Sequence, residues 1–240
     1  MVTQFFWAIM QILIYQAFYK VVTSNNISLE QLISYVWLKQ AFYTIVSSST
    51  DSEIKSMIEN GNISYELCRA ASIYWMWFFK TLASRMAGAV LKCIPILIIA
   101  PFLPAGLALQ APQSGVNLLL FVVTLFIGVF LMAAIVNVFY ISIFYTMSSK
   151  GTSSIFYAII SFFGGGLVPI ALMPDFWQNL CYLLPVSLAT DLPFRIYSGS
   201  IDINSGIFYI IMQIIWIAIL AIGGNIIVNK RLKKVVIQGG

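Results

Sequence analysis

The sequence predicts an all-α integral membrane fold, on three observations. Only 9% of the residues are charged while 60% are hydrophobic, where a soluble domain of this length carries far more charge. Apolar runs of bilayer length recur along the 240 residues, and the mean hydropathy is +0.93. The charges fall in blocks between those runs. Lys230, Arg231, Lys233 and Lys234 close the chain, and Lys55, Arg69, Lys80, Arg85 and Lys92 share the stretch 51–92 with Asp51, Glu53, Glu59 and Glu66. The other connections hold mostly acids: Glu30, Asp175, Asp191 and Asp202. Basic blocks beside spans mark the cytoplasmic side.

The length accommodates about six spans at roughly 20 residues each, as one transmembrane domain over 1–240. The first is expected at 3–22. It lacks a basic leader and a small-residue cleavage site, so it reads as a span and not as a cleaved signal. The turn TSNNIS separates it from the second, at 31–48. The third is expected at 86–104, after Arg85 and closing on Pro101 and Pro104. The fourth, 116–146, is too long for a bilayer unless it tilts or projects. SSKG (148–151) leads to the fifth, 153–173, which Gly164, Gly165, Gly166 and Pro169 break. The mixed stretch 174–206 precedes the sixth, 207–228. Six spans place both termini in the cytoplasm with Lys150 and the 51–92 stretch, leaving only Lys20 and Arg195 as outer basic residues. Residues 23–29, 105–115 and 174–206 are then outside. Trp7, Trp75, Trp77, Trp177 and Tyr182 fall near the expected interfaces, where belt aromatics sit.

The polar stretch carries the first functional clue. In TDSEIKSMIENG, Thr50 with Glu53 fits a capping box and Gly61 a helix stop. Ile54, Met57 and Ile58 lie on one face. Asp51, Glu53, Glu59 and Asn60 flank them. A helix this short is unstable alone, and its apolar edge has no obvious partner within so short a polar loop. It is either a solvated connector or a docking helix for a cytoplasmic protein. The aromatic segment that follows, up to Arg85, suits a position at the inner headgroup level. Glu66 and Arg69 are spaced to pair.

Polar residues inside spans are the second clue. Gln4, Gln11 and Tyr15 share a face of the first span. Lys39, Gln40 and Tyr43 fall within the second, Asn137 in the fourth and Gln213 in the sixth. Each glutamine or asparagine can be an interhelical hydrogen bond that only stabilises packing. Lys39 points further, to a hydrated or substrate-facing cavity, because a mid-bilayer ammonium needs a counter-charge, water or a snorkelling route. Gly223 and Gly224 read as close-packing positions.

Several chemistries are excluded. No GxxxxGK[ST] occurs, so the chain cannot cradle ATP phosphates itself. There is no histidine, which removes HExxH and serine–histidine sites. Cys68, Cys93 and Cys181 show no metal or disulfide spacing. No metal site, no cofactor on this chain and no enzyme of its own are expected. The net charge of +5 flanks spans instead of forming a nucleic-acid surface.

The segments QLISYVWLKQAF (31–42), GNISYELCR with YWMWFFK (61–80), GGGLVPIALMPD (164–175), LPFRIYSG (192–199) and VVIQGG (235–240) occur in an order that resembles the type-two ABC transporter permeases, the six-span exporter subunits. The resemblance covers most of the chain. It implies that residues 51–60 form a coupling helix on a cytoplasmic ATPase, and that 164–190 includes short extracellular helices that partly re-enter the membrane. It implies two ATPase subunits carrying ATP and Mg, and a second permease, either another copy or a paralogue. The setting is a bacterial plasma membrane and its lipids. Those permeases usually begin with a cytoplasmic amphipathic helix, which has no counterpart ahead of the first apolar run. Ala70 stands where related sequences often have proline. An apolar path suits an amphipathic substrate such as a drug, peptide or glycolipid. A self-sufficient secondary transporter or channel commonly carries intramembrane acids, and none falls inside these spans. A non-transporting scaffold or immunity protein is the third reading.

Overall fold

The computed structural model describes residues 2–21, 27–63, 72–104 and 106–232, and these form helices and turns without a β-strand. The helices are α1 (Val2–Tyr19), α2 (Leu29–Ala41), α3 (Tyr43–Val46), α4 (Ser52–Glu59), α5 (Ile73–Ile99), α6 (Gly115–Thr146), α7 (Ser149–Phe163), α8 (Asp175–Leu183), α9 (Pro185–Thr190), α10 (Leu192–Tyr197) and α11 (Ile203–Leu232). Two 3-10 turns, Ala100–Phe102 and Ile170–Leu172, close the chain segments after α5 and α7.

Three helical stretches, Ile73–Phe102, Gly115–Thr146 and Ile203–Leu232, are long and apolar enough to cross a bilayer. At 32 residues α6 is about 48 Å long against a hydrocarbon core of about 30 Å. It is the central post, and α4, α5, α7, α9, α10 and α11 all pack on it. The outward residues of α11 include Ile207, Ile211, Ile214, Ile215, Ile219, Ile222 and Ile226, while its buried positions are Gly206, Gln213, Ala221, Gly224 and Val228. Small and polar residues inside, branched apolar residues outside, is the pattern of a helix solvated by lipid. Gly224 belongs to that close packing, since a Cβ there would sit 2.6 Å from the Tyr74 ring, whereas Gly223 faces open space.

Local chemistry sets the helix ends, and several differ from the sequence expectation. A capping box starts α2, with Ser28 Oγ accepting from the Gln31 amide (3.2 Å) and Gln31 Oε1 from the Ser28 amide (2.9 Å). That helix stops at Ala41, and the expected span to residue 48 is divided by Phe42 into α2 and the single turn α3. The helix expected from 86 begins instead at Ile73. The aromatic segment does not lie separately at the headgroups, because Ile73, Tyr74, Trp77 and Phe78 are buried and continue α5 upstream. The run expected to reach 173 ends as helix at Phe163, where Gly164 caps it and Gly165 takes a left-handed φ of +65°. Trp77, at 1% exposure, and Tyr182 are core residues and not belt aromatics; Trp7, Trp75 and Trp177 remain exposed. Glu66, Cys68, Arg69, Ala70, Lys233, Lys234, the segment VVIQGG (235–240), and residues 22–26 and 105 at the starts of two polar turns lie outside the described residues.

Candidate functional site

Two sites hold the residues singled out by the sequence. The first is α4. Its N-cap is Asp51, not Thr50: the Asp51 carboxylate accepts from the amides of Glu53 (2.8 Å) and Ile54 (3.4 Å). Gly61, at φ +69°, follows the C-cap Asn60 as a stop should. The apolar edge does have an intrachain partner. Ile54 (0% exposed) and Ile58 (1%) are buried in the main core with Ile73, Trp77, Phe139, Tyr140 and Ile143, and Met57 packs partly against it. Folding back on α6 removes the edge from water, which a loop read only as polar sequence did not reveal. The exposed face consists of Ser52, Glu53, Ser56, Glu59 and Asn60.

Polar contacts fasten α4 at both ends. The Asp51 amide donates to the Tyr140 hydroxyl (2.8 Å), and Lys80 bridges Asp51 (3.0 Å) and Glu53 (2.5 Å). Partial burial pushes the Asp51 carboxyl up, but the Lys80 hydrogen bond and the two cap amides outweigh it and hold it below the usual range. Glu59 accepts the Ser149 amide (2.5 Å), joining the end of α4 to the start of α7; that bond holds its carboxyl low too. Behind the helix, buried Arg85 donates to the carbonyls of Thr44 (2.9 Å), Ile45 (2.7 Å), Ser47 (3.0 Å) and Ser49 (2.8 Å). One side chain thereby fixes the segment that leads from α3 to α4 onto the wall of α5.

The second site surrounds Lys39. Its Nζ donates to the carbonyls of Gly164 (3.0 Å) and Gly165 (2.5 Å), and to the Tyr35 hydroxyl (2.8 Å). The first two are at the C-terminal end of α7, where the helix dipole favours a cation. The expected break at Gly164–Pro169 is therefore an acceptor for Lys39. The Tyr35 hydroxyl in turn donates a hydrogen bond to Asp191 Oδ1 (2.6 Å), and Tyr182 donates to Asp191 Oδ2 (2.6 Å) while accepting from Arg195 Nη1 (2.5 Å). One carboxylate at 0% exposure is thus bracketed by two tyrosines, each backed by a cation. A Cβ on Gly165 would press on Asp191 Oδ1 at 3.1 Å and the Tyr35 hydroxyl at 3.2 Å, and the φ of +65° would strain any residue with a side chain, so glycine suits this position.

Beside this network is a cavity of about 160 Å³ lined by Gln11, Tyr15, Lys39, Gln40, Tyr43 and Ser161 among others. Gln40 donates to Gln11 Oε1 (3.3 Å), linking α1 to α2. Five of the six path candidates meet here. Asn137 does not: it is buried in α6 and donates to the Tyr74 carbonyl (3.2 Å). Gln213 likewise serves packing, donating to Thr124 (3.1 Å) and Leu188 (2.8 Å) carbonyls. Sequence reasoning missed Asp191 and Arg195, which were assigned to an outer loop. Two opposite charges four apart in the otherwise apolar LATDLPFRIYSG were the available signal of a buried network, in which Tyr182 links Asp191 to Arg195.

A helical membrane protein with a buried ionic network and a tethered helix between two of its longer elements is the class these features define. The chain belongs to the family described as ABC-2 family transporter protein, whose sequence profile matches residues 5–239. Neither the curated proteins nor the solved structures contain a significant match. Membership makes the chain a multi-pass membrane protein and a permease-type subunit of a family that works with ABC ATPases, and it bears out the resemblance read from the ordered segments.

Proposed function

We propose that this chain is the permease subunit of an ATP-driven exporter and that α4 is its coupling element. The observation that carries this is the two-sidedness of α4. Ile54 and Ile58 join it to α6, Arg85 fixes its approach, and a polar face of Ser52, Glu53, Ser56, Glu59 and Asn60 remains exposed. A partner closing on that face would displace a lever attached to the central helix, not a loose loop. Two ATPase subunits binding ATP and Mg, and a second permease, complete the assembly in this reading. The path between two permeases suits an amphipathic substrate.

The topology belongs to the same proposal. Six crossings place both termini, α4 and Lys150 in the cytoplasm. α5, α6 and α11 would cross directly. The shorter α1 (18 residues), α2 (13 residues) and α7 (15 residues) would cross with their flanking turns. In a cysteine-free background, a cysteine at position 150 should react only with reagents that enter the cell; labelling from outside would overturn the topology.

A secondary transporter draws support from buried Asp191, because intramembrane acids serve proton coupling. Tyr35 separates that carboxylate from the cavity, which Asp191 does not line. The ABC reading therefore stands ahead. The experiment is Ser52→Arg with Ser56→Arg on the exposed face. Membrane insertion should be unchanged, while ATPase copurification and substrate-stimulated ATP hydrolysis should fall. Wild-type levels of both would refute coupling through α4.

A further inference from the structure

We propose that the cavity beside Lys39 binds the head of an anionic amphiphile: a phosphate or carboxylate with a hydroxyl next to it, on an apolar tail. The proposal rests on the permease reading and names the substrate chemistry of that path.

Charge comes first. The network contains two cations, Lys39 and Arg195, and one carboxylate, Asp191. It keeps one positive charge in surplus. The three Lys39 donors are satisfied by a hydroxyl and two carbonyls, all neutral, and among the described residues no acid lies within ion-pair distance of its Nζ. Hydrogen bonding is complete but the charge is not neutralised. In a low-dielectric setting that field extends into the cavity Lys39 lines, and an anion entering there lowers the energy of the site.

Hydrogen bonding comes second. Gln40 is 8% exposed and lines the same cavity, and its Oε1 is buried without a partner. A buried acceptor of that kind calls for a donor, which an anion alone does not bring. A hydroxyl beside the charge does. Tyr15, Tyr43 and Ser161 add hydroxyls able to donate to the anion itself.

Size and surroundings come third. A cavity near 150 Å³ accommodates about six heavy atoms, as benzene does. At about 160 Å³ this one takes the charged group and the first hydroxyl-bearing carbon, not a whole sugar. Val36, Ile160 and exposed Leu167 on its wall are apolar, so the rest of the ligand meets a greasy exit.

The test is calorimetric titration of the purified full chain with three dihexanoyl lipids below their micelle concentrations. Phosphatidylglycerol carries charge and hydroxyls, phosphatidylmethanol the charge alone, and phosphatidylcholine no net charge. Phosphatidylglycerol should bind about tenfold tighter than phosphatidylcholine, as one unpaired charge at several ångströms through protein allows. Lys39→Gln should reduce that ratio to within about twofold, and Lys39→Arg should retain it. Gln40→Leu should remove the preference for phosphatidylglycerol over phosphatidylmethanol and leave the charge preference. Equal binding of all three lipids by the wild type overturns the proposal, as does an unchanged ratio in Lys39→Gln. If Lys39→Gln does not fold, the Lys39→Arg and Gln40→Leu arms decide. Glycerol 3-phosphate binding as tightly as phosphatidylglycerol would mean a free anion site and overturn the amphiphile. Lipid preference without ATPase copurification would sink the permease reading and leave the anion site. Copurification without preference would do the reverse. Export of the preferred lipid in an ATP-dependent assay separates a substrate from a resident bilayer lipid.

Discussion

Replacing Ile54 and Ile58 together by alanine should detach α4 without unfolding the molecule. Both side chains are buried in the main core, at 0% and 1% exposure. A buried Ile→Ala costs about 2–5 kcal/mol, and the lower end applies here because the end of a helix bundle can collapse into the gap. The pair is then worth about 4 kcal/mol. What remains holding α4 is the Asp51 amide bond to Tyr140, the Lys80 ion pairs with Asp51 and Glu53, the Ser149 amide bond to Glu59 and the partial packing of Met57. The pairs are exposed and worth about 0–1 kcal/mol each. An eight-residue helix has no independent stability to add. These remaining contacts are mostly surface polar ones and weaker than the roughly 4 kcal/mol removed, so α4 should be open a measurable fraction of the time. Hydrogen exchange in detergent should show lost protection over 52–59 with α6 and α11 unchanged. ATPase-stimulated transport should fall even though every residue of the exposed face is intact. Full protection of 52–59 in the double variant would refute the claim that these two side chains hold the helix.

Four further outcomes follow from the same structure. Asp191→Asn leaves Lys39 and Arg195 without their shared carboxylate and should cost about 3–5 kcal/mol; adding Lys39→Met should recover part of it, read as thermal unfolding in detergent. Tyr182→Phe leaves one Asp191 oxygen without a donor and should cost about 1–3 kcal/mol by the same measurement. Gly224→Ala should destabilise by about 1–3 kcal/mol through the Tyr74 ring, while Gly223→Ala should be neutral or slightly stabilising. The Asp51 carboxyl is held below its unfolded value, so its stabilising contribution is complete above about pH 3.9 and is lost as pH falls through the lower folded value; protease access to 52–59 should stay flat from pH 8 to 5 and rise below pH 4.

Much of this protein was legible in its residues. Low charge and long apolar runs point to a lipid-solvated helical chain, because a bilayer admits helices or closed barrels and barrel strands alternate apolar with polar residues instead of running apolar throughout. The break at Gly164 (though not that the helix ends there instead of resuming to 173), the stop at Gly61 and the short helix at 52–59 follow from local backbone chemistry, which nearest neighbours decide. So does the suspicion attached to Lys39, since an ammonium in an apolar run needs a partner whatever the fold. The identity of that partner was not local. Tyr35 is separated from Asp191 by 156 positions, and Lys39 from Gly164 by 125. In 174–206 the spacing of Asp191 and Arg195 within an apolar stretch is only a hint, and a loop acid becomes a core acid when α9 and α10 are packed against α6. The same holds for Ile54 and Ile58, an edge whose partners Phe139 and Tyr140 lie on another helix. Trp77 and Tyr182 were misplaced at interfaces for the same reason, because an aromatic near a span end reads alike whether it meets lipid or a neighbouring helix. Sequence by itself determined the solvent, the helices and the residues that could not be left alone. Tertiary structure decided which of them meet, because contacts across the bundle depend on packing between helices and not on the period within one.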